Sequence, residues 1–238
     1  MSMYIRKLFK VGNISNRENW LKKTLKNIPM NQSILDAGAG ELRYKKFCTH
    51  LKYTSQDFGE YSGDFQEGLQ NKDWDNSKID IKSDIINIPV ENNSFDNIMC
   101  IEVLEHLPEP IKAIKEFSRI LKKNGKLIIT APICSLTHMA PYYFYNGYSK
   151  YWYKKFLQDN GFEILEIKLN GNYFEYLIQE LKRVKEIAKK YSKINIFFKL
   201  ILYFLLIPFL FLLKYFSKSS KNSEELLCFG VQVLAKKI

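Results

Sequence analysis

The sequence predicts an α/β fold with a seven-stranded, mostly parallel sheet and helices on both faces. Three observations predict it. Short apolar runs alternate with helical periodicities along the 238 residues. Two of the runs, NIMCI and IIT, are almost wholly apolar, which suits strands covered on both faces. The first run breaks directly into a glycine-rich turn, DAGAG from Asp36 to Gly40, and open α/β sheets hold their ligands at the carboxyl ends of strands.

The elements follow in order. Arg17 to Asn27 carries Trp20, Leu21, Thr24 and Leu25 at helical spacing and is expected to end before Pro29. SILDA reads as the first strand, and ELRYKKFCTHL after the glycines as a helix. KYTSQDF is a second strand ending at Asp57, and residues 59–76 are polar, glycine-rich and without a period, hence a loop with room for mobility. KIDIKSDI reads as the third strand, closed by Asp84, and SFDNIMCIEVL as the fourth. EPIKAIKEFSRILKKNG is a helix with Ile111, Ile114, Phe117, Ile120 and Leu121 on one face and Gly125 as its stop. KLIITAP is the fifth strand, Lys150 to Gly161 a further helix, FEILEIKL the sixth strand and LLCFGVQVLAKK the seventh.

Composition narrows the class. The formal net charge is +11, which by itself fits nucleic acid, an anionic membrane or the abundance of Lys, Asn, Ile and Phe throughout. No tight basic-aromatic groove is visible, so nucleic acid is the weakest of the three. Cys48, Cys100, Cys134 and Cys228 form no C-x-x-C pair and imply neither a zinc site nor a disulfide framework, in keeping with a reducing cytoplasm. The first thirteen residues hold no apolar run of signal-peptide length.

Gly38 and Gly40 let the backbone turn sharply and let a ligand approach it. A dinucleotide fingerprint would need a third glycine where Arg43 stands, which argues against NAD. Asp57 ends the second strand about 20 residues after the glycines, the separation of an acid that holds ribose hydroxyls.

On ILDAGAGE, Asp57, SDIINIPVENNSFDNIMCIEVLEHLPEP and SRILKKNGKLIITAP, the sequence resembles class I S-adenosylmethionine-dependent methyltransferases. The resemblance covers residues 31–169 and the closing strand. It implies a Rossmann-like fold with S-adenosylmethionine as cofactor. Asp36, Gly38, Ala39 and Gly40 would line the methionine part, Asp57 would hold the ribose, Asp84 and Ile85 would flank the adenine, and Ile101 and Glu102 would lie beside the sulfonium. Two features depart from the family. Leu42 stands where a third glycine is frequent, and a loop replaces the usual helix between the second and third strands.

For the chemistry, E-V-L-E-H from Glu102 to His106 lies just past the fourth strand. Three readings stay open. His106 is the general base for a hydroxyl acceptor, which is the preferred reading. Alternatively, Glu102, Glu105 and His106 hold a divalent metal, as in some quinone-precursor and RNA-end methyltransferases with E-x-x-E-H. In the third, His106 only shapes the pocket. After the fifth strand eight aromatics crowd between Tyr142 and Tyr153, and H-x-x-P-Y-x-F-Y from His138 resembles a branch (methyltransferase type 11/23-like) found in bacterial surface-glycan gene sets. The expected activity is O-methylation of a sugar, lipid-linked glycan or other small acceptor. The alternatives are a quinone-precursor ring and a non-catalytic cofactor-binding module at a membrane.

The stretch LILYFLLIPFLFLL, residues 200–213, precedes the last strand. It is too short to span, Pro208 interrupts it, and a single crossing would separate two strands of one sheet. Residues 174–222 hold ten Lys or Arg against three Glu, a net of +7. An apolar helical insertion lying on an anionic membrane face, at the inner side of a cytoplasmic membrane, is expected. The implied organisation is an N-terminal helical cap (1–30), a cofactor-binding domain (31–173 and 225–238) and the basic, apolar insertion (174–224).

Overall fold

A computed structural model describes residues 11–64, 67–70, 74–193 and 196–238. The first ten residues, five positions of the 59–76 loop, and Ile194 and Asn195 at the start of the apolar run lie outside the described residues. The elements are α1 (Asn13–Lys26), β1 (Ser33–Ala37), β2 (Lys52–Asp57), β3 (Ile81–Lys82), β4 (Phe95–Ile101), α2 (Pro110–Ile120), β5 (Leu121–Pro132), α3 (Lys150–Asp159), β6 (Phe162–Asn170), α4 (Tyr173–Tyr191), α5 (Ile196–Ser219) and β7 (Gly230–Lys237). Two compact units divide them: residues 17–168 with 230–238, and residues 1–16 with 169–229.

The first of these units is built on a seven-stranded sheet of order β3-β2-β1-β4-β5-β7-β6. β3, β2, β1, β4 and β5 pair in parallel, whereas β7 runs antiparallel to β5, so the sheet is mixed. The order reverses at β1, which lies between β2 and β4, so the carboxyl ends of β1 and β4 flank a crevice there. Trp20, Leu21 and Leu25 of α1 pack with Ile34, Met99 and Ile128 of three strands. Apolar burial of this kind is the main favourable term in holding helix to sheet. Ser33 and Asp96 lock the starts of β1 and β4 together, with Ser33 N and Oγ both donating to Asp96 Oδ2 at 2.8 Å.

Several boundaries differ from the sequence expectation. Residues 41–51 form turns and one 3-10 turn (Lys45–Phe47) in place of a helix. Leu42 adopts φ +58°, which no helix residue can do. β3 shrinks to two residues, because only Gln56 and Asp57 of β2 pair with it, and Asp84 falls in the turn beyond. α2 stops at Ile120, where Leu121 pairs with Phe95, and β5 begins at once. Gly125 is therefore no helix stop. A Cβ there would come within 2.8 Å of the carbonyls of Asp96 and Lys122, so it is a close-approach glycine. β7 starts at Gly230, not Leu226.

In the second unit α4 and α5 lie between β6 and β7 in the chain. Asn172 caps α4, its side chain accepting from Glu175 N at 3.0 Å. Leu210 and Leu213 of α5 are buried with Ile178 of α4, joined by Phe174, Leu177, Leu181 and Leu206. α5 runs unbroken through Pro208, contrary to the expected interruption. The missing N–H costs one hydrogen bond, and Leu206 and Leu210 anchor the helix on either side of it. Among the described residues no helix is long and apolar enough to cross a membrane.

Candidate active site

The carboxyl ends of β1, β2 and β4 open on a cleft of about 1220 Å³ within the sheet unit. That exceeds the usual few hundred to ~1,000 Å³ of a single-ligand site and leaves room for two molecules. Gly38, Ala39, Gly40, Asp57, Asp84, Ile85, Ile101, Glu102 and His106 all line it. Asp36 does not: it is buried beneath the glycine turn.

The turn is fastened to β2. Gly38 N and Ala39 N donate to Gln56 O at 2.8 and 2.9 Å, and Gly40 N donates to Asp57 Oδ2 at 3.0 Å. Asp57 Oδ1 accepts from Gly59 N at 2.8 Å. One carboxylate thus pins the turn before it and the turn after it. Gly38 has φ +75°, and a Cβ there would stand 2.5 Å from Val103 Cγ2, so both conformation and space require glycine. Trp74 from the 59–76 loop presses equally close to Gly40.

Beneath the turn, Tyr53 Oη donates to Asp36 Oδ2 at 2.6 Å. Burial pushes the Asp36 carboxyl up to about 7; the Tyr53 hydrogen bond works against this and the nearby Asp57 charge adds to it.

At the end of β4, Glu102 takes φ +58°, a strained conformation for a residue with a side chain. Its side chain is held by Thr130 Oγ1, which donates to Oε1 at 2.9 Å, and by an ion pair with Arg17. Arg17 lines the cleft, and its Nε is buried without a hydrogen-bond partner. The following 3-10 turn, Leu104–His106, is clamped by Tyr148 Oη donating to Leu104 O at 2.8 Å and by Phe144 N and Tyr145 N donating to Glu105 O. Glu105 is buried, and burial followed by the Glu102 charge drives its carboxyl well above the usual range. His106 Nδ1 lies 2.6 Å from Tyr142 O, and its ring meets His138 edge-on at 4.7 Å. Burial and His138 pull His106 down to about 4.

The eight aromatics divide. Tyr148 and Tyr153 are buried in the core, Tyr142 and Phe144 line the cleft, and Tyr151 is exposed. Sequence reasoning missed Arg17 and Trp74. Arg17 did leave a signal, since it shares one helical face with the buried Trp20, Leu21 and Thr24. Trp74 left none, because only the folded loop brings it to Gly40.

Residues 35–129 match the family described as methyltransferase domain. The chain is 42% identical over 40 residues to the ubiquinone biosynthesis O-methyltransferase of Xanthomonas oryzae, 17% of each chain. It is 25% identical over 131 residues to the demethylmenaquinone methyltransferase of Staphylococcus saprophyticus, 51% of this chain and 54% of that one. The chain thus spans under a fifth of the first relative and about half of the second. In fold it is similar to a crystal structure of an S-adenosylmethionine-dependent methyltransferase from Archaeoglobus fulgidus, with TM-score 0.57, 16% identity and 94% of each chain covered. Over residues 35–129 the chain is thus similar to the methyltransferase domain family, and its strand order is that of a Rossmann-like α/β fold with a cleft at the order reversal.

Proposed function

We propose that this protein transfers a methyl group from S-adenosylmethionine to an oxygen of a small or lipid-linked acceptor. The observation that carries the reading is one cleft holding a glycine turn, a strand-end carboxylate and an imidazole corner. The cofactor, when bound, supplies a methyl carbon activated by its sulfonium. The residues fit it. Asp57 offers its remaining lone pairs to the ribose hydroxyls, and Ile85 beside Asp84 offers an apolar seat for the adenine. Gly38 and Ala39, held by Gln56 O, line the cleft beside the methionine part, and Arg17 lines it too. Glu102, locked by Thr130 and Arg17, fixes the backbone next to the sulfonium. Holding donor and acceptor in line accounts for several kcal/mol of such a reaction, about 7 or more in favourable cases.

The acceptor is assigned to the side of His106, His138, Tyr142 and Phe144. His106 presents a neutral ring to the acceptor side; held near 4, it is a weaker base than the sequence reading supposed. The test is calorimetry with S-adenosylmethionine, followed by transfer of labelled methyl to glycans, phenols and lipid extracts. Binding with transfer to a hydroxyl compound is expected. Failure to bind the cofactor rejects the reading, and binding without any transfer selects the non-catalytic module.

The same reading sets the helical unit against an anionic membrane. α5 exposes Phe204, Leu205, Phe209, Leu212 and Tyr215, with Phe204 81% exposed, while Leu210 and Leu213 are buried on α4. Charge decides the occupant: a segment of net +7 repels a second copy and attracts an anionic leaflet. The protein is expected to sediment with phosphatidylglycerol vesicles at low salt, and F204D with L205D to abolish this. No sedimentation of the parent protein, or equal sedimentation of the double variant, removes the membrane from the proposal.

A further inference from the structure

We propose that Glu105, His106 and His138 form a site for a divalent first-row transition ion at the acceptor end of the cleft. The site stands on its own geometry; its role in catalysis rests on the methyl-transfer reading above.

The ligand atoms of the three residues all lie within 4.8 Å of one another. Both histidines are already set in the tautomer that a metal needs. His106 Nδ1 is 2.6 Å from Tyr142 O and His138 Nδ1 is 2.8 Å from Leu136 O. A ring nitrogen that close to a carbonyl carries the proton and donates it. Each Nε2 is left with its lone pair, and a backbone carbonyl behind each ring fixes its orientation. Glu105 supplies the charge once a bound cation has displaced its proton to solvent. Its side chain is 1% exposed, Oε1 is 3.8 Å from His106 Nε2, and Oε2 is buried without a hydrogen-bond partner. A buried carboxylate with an orphan oxygen is costly, and a cation between it and two imidazoles removes that cost.

Glu102, part of the E-x-x-E-H reading, is left out of the set. Thr130 and Arg17 engage its two oxygens, and an arginine beside a cation would repel it. His138 takes its place, brought from the loop after β5 into edge contact with His106. Ligand atoms around a tetrahedral ion stand roughly 3.4 Å apart for bonds near 2.1 Å. The three must therefore draw in by about an ångström, which small rotations of Glu105 and His138 provide. Two imidazoles and one carboxylate suit Zn²⁺, Co²⁺, Fe²⁺ or Mn²⁺ better than Ca²⁺ or Mg²⁺. Both histidines line the cleft, so the open positions of the ion face the acceptor. There the ion lowers the pKa of an acceptor hydroxyl. The proton passes to water, the oxygen bonds the methyl carbon, and the carbon–sulfur bond breaks to release S-adenosylhomocysteine.

The experiment strips the full-length protein with EDTA, dialyses it, and titrates it with CoCl₂ while recording visible d–d absorption. One equivalent of Co²⁺ is expected to bind and to be displaced by Zn²⁺. His138→Ala and Glu105→Gln are each expected to weaken Co²⁺ binding by about tenfold or more. Calorimetry with S-adenosylmethionine on the same variants shows whether the fold is intact. If the stripped protein binds the cofactor but gives no d–d bands, the metal site is wrong and the methyl-transfer reading stands. Co²⁺ bands that persist in His138→Ala overturn the ligand set. Co²⁺ binding without cofactor binding sinks the methyl-transfer reading and leaves the metal site in place. Full transfer activity in the stripped protein removes the ion from catalysis.

Discussion

Asp57→Ala is expected to bind S-adenosylmethionine roughly ten- to a hundredfold more weakly than the parent protein, a loss of about 1.5–3 kcal/mol for a charged hydrogen-bond partner. Two effects combine in that loss. The ribose hydroxyls lose their acceptor, and Gly40 N and Gly59 N lose theirs as well. The second effect loosens the glycine turn itself, which places the outcome toward the upper end. Asp57→Asn is the milder change. Its one acceptor oxygen keeps a partner for either Gly40 N or Gly59 N while the charge and the other bond are given up, so its loss is expected to be smaller than that of the alanine variant. Calorimetric titration of both variants is the check. Parent-like affinity in Asp57→Ala would mean that the carboxylate serves the turn alone and that the ribose lies elsewhere in the cleft.

The parts of the fold that were legible in the sequence are those where one local signal sufficed. β1, β4 and β5 carry dense apolar runs because both of their faces are covered, and Leu35, Ile98 and Ile128 are each fully buried. The misread parts are those where a local pattern served another purpose. Tyr44 and Cys48 are buried four residues apart, the spacing of a helix, yet Leu42 at φ +58° shows a chain still turning. KIDIKSDI alternates like a strand, but Asp80 is spent on Ser55, whose N and Oγ both donate to it, and only two residues go on to pair with β2. Gly125 looked like a helix stop because glycine ends helices, whereas its lack of a side chain serves the approach of Asp96. Asp57 at the end of β2 was visible because position along a strand is a sequence property. The meeting of His138 with His106 was not, since it depends on the path of the loop after β5.

A stability that falls as pH rises from about 4 to about 7 is expected from Asp36, and Asp36→Asn should remove it. The carboxyl is raised chiefly by burial, with Tyr53 donating to it and Asp57 adding its charge. In the unfolded chain it titrates near 3.9. Between that value and about 7 the folded protein keeps a proton that the unfolded chain has given up. The unfolded state therefore binds fewer protons in this window, and stability declines with pH across it. Below the window both states are protonated and the contribution is fully present; above it the contribution is gone. Three pH units at 1.36 kcal/mol each set an upper size on the order of 4 kcal/mol. Asparagine has no proton to lose and still offers Tyr53 an acceptor, so the variant should gain on the parent protein steadily from about pH 4 to about pH 7. The buried amide carries its own cost, but that cost is the same at every pH, so the slope isolates the carboxyl. Urea unfolding of both proteins at four pH values across the window measures it. Parallel stability curves would show that Asp36 is ionised in the folded protein.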